Sequence, residues 1–93
     1  MTTFAHTLVI GDQAFLFSFS EVKRIDSSKF YVSVKGNSQS VVAFEMKKEL
    51  YKDNWIVCQP APDWILQKEA ILSNWIKRNL LNQDRFIVKS YAF

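Results

Sequence analysis

The chain has 93 residues, too few for two separate hydrophobic cores, and 48% hydrophobic, 15% aromatic and 23% charged residues with two Gly and two Pro exclude a collagen-like, low-complexity or disordered chain. Twelve Lys and Arg against nine Asp and Glu give a net charge of +3, spread along the sequence with acidic residues interleaved, which argues for a solvated mixed-charge surface over a phosphate-tracking stripe. One cysteine excludes an intramolecular disulfide, no uncharged apolar run reaches the ~18 residues of a membrane span, and no basic leader precedes an apolar segment, so a single soluble domain over residues 1–93, cytoplasmic and away from membranes, is predicted.

The first two-thirds of the chain alternates at period two. Residues 4–10 read as a strand with Phe4, His6, Leu8 and Ile10 on one face, closed by the turn pair Gly11-Asp12. Residues 14–22 place Phe15, Phe17 and Phe19 together, and the lost parity between Val22 and Ile25 predicts a bulge or the end of pairing. Residues 30–35 turn Phe30, Val32 and Val34 inward and Tyr31, Ser33 and Lys35 outward; residues 41–47 turn Val42, Phe44 and Met46 inward. A short strand at 55–58 stops at Pro60-Ala61-Pro62, after which Asp63 is expected to accept bonds from the first helical amides.

A helix follows over 64–81, with Asn82 as its expected stop. Residues 85–92, with Phe86, Ile87, Val88 and Tyr91, read as a candidate last strand. The predicted fold is thus α+β: a five- or six-stranded antiparallel meander with one long amphipathic helix packed on one face.

On a helical wheel Ile65, Leu72, Ile76 and Leu80 form one column, and Trp64, Ile71 and Trp75 a second, about a quarter turn away. That arc is wider than one sheet contact needs, so either the C-terminal segment, through Phe86, Val88 or Tyr91, or a second molecule is expected to cover the surplus.

Little in the sequence points to catalysis. His6 is the only histidine and shares its face with Phe4 and Leu8, which removes paired-His metal sites. Cys58 follows Trp55, Ile56 and Val57 and reads as a small buried hydrophobe. The two isolated glycines build no phosphate loop, and no serine sits in a nucleophile elbow. Glu69 is the odd member of the apolar side of the helix, paired to Lys68 or a sheet lysine, or else a functional carboxylate.

No cofactor, metal or reaction is therefore indicated. The leading expectation is a non-enzymatic protein-interaction module that binds another protein or a second copy of itself through Trp64, Ile71 and Trp75 or through an exposed strand edge. The alternative is nucleic-acid binding through Tyr31, Lys35 and Lys47. The run from Phe30 to Lys35 mixes rings with a basic residue as single-stranded RNA binders do, yet parity leaves Tyr31 as its only outward ring.

Overall fold

The computed structural model describes residues 2–25, 27–36, 41–49, 51–58 and 60–91, and their side chains apart from Val41 and residues 82–91. Five strands, β1 (Thr3–Ile10), β2 (Gln13–Lys23), β3 (Ser28–Lys35), β4 (Val41–Lys48) and β5 (Trp55–Val57), pair antiparallel in chain order as a meander. A short helix α1 (Asp63–Leu66) and a long helix α2 (Glu69–Tyr91) follow and pack on one face.

The alternating sequence sets the register. Across the sheet Phe4 meets Phe19, Phe19 meets Val32, and Val32 meets Phe44, while Phe17 meets Val34 and Val34 meets Val42. Each apolar set thus lands on one face, since a one-residue slip would turn the whole set to water. Phe17, Phe19, Phe30, Val32, Phe44 and Met46 are buried there with Ile65, Leu72 and Ile76 of the helices. At Gly11, φ of +63° lets two residues close the β1–β2 hairpin. Gly36 has no side chain because the Phe15 ring lies over it, 2.8 Å from where a Cβ would stand.

Pairing of β2 continues in register through Val22 and Lys23, so no bulge forms and the strand simply ends there. The same continuation carries Glu21 into the core. Glu21 pairs with Phe30, is 4% exposed, and its Oε1 has no hydrogen-bond partner. A buried carboxylate oxygen without a donor loses hydration and gains nothing in return. Glu21→Met, close in volume, is expected to raise the unfolding free energy by about 1–3 kcal/mol, read from the urea midpoint at unchanged slope.

Three expectations about the C-terminal third are corrected. Asp63 is not a side-chain cap: Pro62 holds the cap position, and its carbonyl accepts the Ile65 and Leu66 amides at 3.0 and 3.2 Å. The single helix over 64–81 is two, because the Lys68 amide bonds three residues back to the Ile65 carbonyl (2.9 Å), a tightened turn between α1 and α2; Ile65, Leu72 and Ile76 are nonetheless buried together, as expected of one column. The strand expected at 85–92 is helix through Tyr91, with Ala92 outside the described residues. No Gly or Pro interrupts this stretch, and extending a formed helix adds a hydrogen bond for each residue fixed, without a new nucleation cost. The cover expected from Phe86, Val88 and Tyr91 falls on side chains outside those described.

Candidate interaction surface

Helix α2 runs back along β5. The Glu69 carboxylate accepts the Val57 amide at 2.8 Å, the Ser73 hydroxyl accepts the buried Trp55 amide at 2.9 Å, and Lys77 Nζ donates to Asn54 Oδ1 at 3.2 Å. Trp55 and Val57 are the residues whose N–H groups point away from β4, because the alternate positions pair inward, as the Cys58 amide does to the Glu45 carbonyl (3.0 Å). One edge of the sheet is therefore sealed by two side chains one helical turn apart. Among the described residues Glu69 makes no salt bridge with Lys68; its carboxylate is a clasp on backbone.

At the opposite edge no comparable clasp is found among the described residues. The Glu21 amide bonds the Thr2 carbonyl at 2.8 Å, which fixes the phase of the β1–β2 ladder: Phe4, His6 and Leu8 bond toward β2, whereas Thr3, Ala5, Thr7 and Val9 direct their N–H and C=O groups outward. Among the described residues none of these outward groups has a hydrogen-bond partner. The eight residues of β1 include no Lys, Arg, Asp, Glu or Pro, the devices that normally blunt an edge.

Searches of family models, curated proteins and solved structures returned no match. Geometry alone carries the functional argument.

Of the residues singled out by sequence, Trp64 and Trp75 lie half-buried against the sheet itself. Trp64 packs on Phe15 (centroids 4.9 Å apart), and Trp75 stacks on His6 (4.7 Å) and stands T-shaped to Phe17 and Phe19. Ile71 remains exposed, as do Leu66 and Leu81. His6 is held between Phe4, Trp75 and the Asn79 amide, 3.5 Å from its Nε2, so it joins β1 to α2. Cys58, expected to be buried, is exposed, and its thiol reaches the Glu45 carbonyl at 3.3 Å. It lies one residue past β5, opposite Glu45 in the register, so its parity turns it to the sheet face away from the helices.

Tyr31, Lys35 and Lys47 are all exposed on the uncovered sheet face, but they do not converge. Lys47 faces Lys29 across β3–β4, whereas Lys35 lies six residues further along β3, ~20 Å away. Lys29 and Lys47 enter a cleft of about 830 Å³ that also takes in Arg24, Lys48 and Lys52. Carboxylates offset much of that charge: Lys29 bonds Glu45 at 2.6 Å, Lys52 bonds Glu49 at 3.6 Å, and Lys48 lies 3.9 Å from Asp53. The Lys29 hydrogen bond holds the Glu45 carboxyl below its ordinary value of 4.5; desolvation, the next largest effect, opposes it, and the charges of Lys29, Lys47 and Arg24 add to the lowering. The cleft is a mixed-charge surface. Among the described residues no three His, Cys, Asp or Glu side chains could hold a metal ion together, and no helix is long and apolar enough to cross a membrane.

Proposed function

We propose that this chain is a non-enzymatic protein-interaction module that takes an extended segment of a partner onto the β1 edge. Strand addition of this kind draws affinity from main-chain hydrogen bonds and specificity from alternate side chains. The supporting observation is the unequal treatment of the two edges: α2 spends Glu69 and Ser73 on the three-residue β5, while the eight-residue, uncharged β1 is left open. The residues with reactive potential support the same reading, since His6 and Glu69 are each committed to a packing or backbone contact.

Thr7→Pro tests this cleanly, because the amide it removes points outward and the β1–β2 ladder keeps its bonds. Library peptides as long as β1, eight residues, selected on the wild-type chain and counter-selected on Thr7→Pro, are expected to alternate apolar residues and to slow amide exchange at Thr3, Ala5, Thr7 and Val9. Recovery of no binders, or only of binders that Thr7→Pro holds equally well, overturns the reading. Salt-sensitive oligonucleotide retention that depends on Lys47 would point to nucleic acid instead.

A further inference from the structure

We infer that the strand taken onto β1 is the β1 of a second copy, joined antiparallel about a two-fold axis into one continuous sheet; this rests on the strand-addition reading above. Three observations select this occupant. β1 has no Lys, Arg, Asp or Glu from Thr3 to Ile10, so two copies can lie side by side without the fixed like-charge opposition that would penalise most strands paired with themselves. Its alternation is self-matching: an axis perpendicular to the sheet sets Phe4 and Leu8 beside their counterparts on the helix-covered face, and Thr3, Ala5, Thr7 and Val9 beside theirs on the open face. Each copy also has one open edge and one sealed edge, so pairing β1 with β1 consumes every free edge and closes at two copies.

The outward groups fix the register. Pairing Thr3 with Val9 of the second copy and Ala5 with its Thr7 engages every outward N–H and C=O group in about eight hydrogen bonds, and no other in-phase register engages them all. The axis then passes midway between His6 and the second copy's His6, which stand opposite each other as a non-hydrogen-bonded pair at ~4.5 Å between Cα atoms.

Sedimentation of the full chain over a concentration series is expected to show a species of twice 10.9 kDa that dissociates on dilution and is absent in Thr7→Pro. A second measurement stands whether or not Thr7→Pro folds: with Cys58→Ser removing the native thiol, His6→Cys is expected to cross-link to itself on mild oxidation while Thr7→Cys does not. A chain that stays monomeric at every concentration, or a dimer in which Thr7→Cys cross-links as readily as His6→Cys, overturns the inference. If the monomer still binds the selected peptides at β1, the strand-addition reading survives and only the second copy is lost; if Thr7→Pro leaves both peptide binding and dimer intact, both fall.

Discussion

Trp75→Ala is expected to lower the unfolding free energy by about 3 kcal/mol, while Ile71→Ala changes it by no more than about 0.5 kcal/mol. The indole of Trp75 lies on His6 and stands T-shaped to Phe17 and Phe19, so its removal opens a void among rings whose positions the strand register fixes. The effect sits near the low end for truncating a large aromatic because the indole is only half-buried. Ile71 lies one turn earlier on the exposed side of α2 and has little to lose. Urea unfolding of the two variants separates an indole that belongs to the core from one held for a partner: equal, small losses would return Trp75 to the interaction surface and leave the sheet's rings without their cover.

The sheet was legible because period two is a strong signal when three strands repeat it. Phe15, Phe17 and Phe19, then Phe30, Val32 and Val34, then Val42, Phe44 and Met46, each occur at alternate positions, and the register places these sets on one face. Composition misled at residues 85–91, where Phe86, Ile87 and Val88 favour a strand taken alone but continue a helix already formed upstream. The surplus apolar arc was inferred from an unbroken wheel. The column of Ile65, Leu72 and Ile76 is buried as the wheel has it, while Trp64 and Trp75 find different rings of the sheet, Phe15 and His6, and so need no separate cover. An exposed edge was expected, but which edge is sealed and which is open could not be read from local pattern. Glu69 and Ser73 reach Val57 and Trp55 across twelve and eighteen residues of chain, and such pairings leave no mark in local pattern. Their one sequence trace was Glu69 itself, a carboxylate out of place on an apolar side.

Replacing both clasp residues, Glu69→Ala with Ser73→Ala, is expected to cost about 3–5 kcal/mol and to carry association beyond two copies. The stability loss follows from the donors left behind: the Trp55 amide is buried and its bond to Ser73 is 2.9 Å long, while the bond from the Val57 amide ends on a carboxylate and is stronger than a neutral one. The change in assembly follows from topology. With β5 unsealed each copy offers two open edges, so pairing no longer closes and the species grow with concentration. Adding Val57→Pro discriminates this from general unfolding. Proline at 57 deletes an outward donor that Glu69 otherwise satisfies, leaving the bonds to β4 in place, so it should restore the two-copy limit and part of the lost stability. If the triple variant keeps growing in sedimentation, exposed core is driving the aggregation, and β5 was never an edge that needed closing.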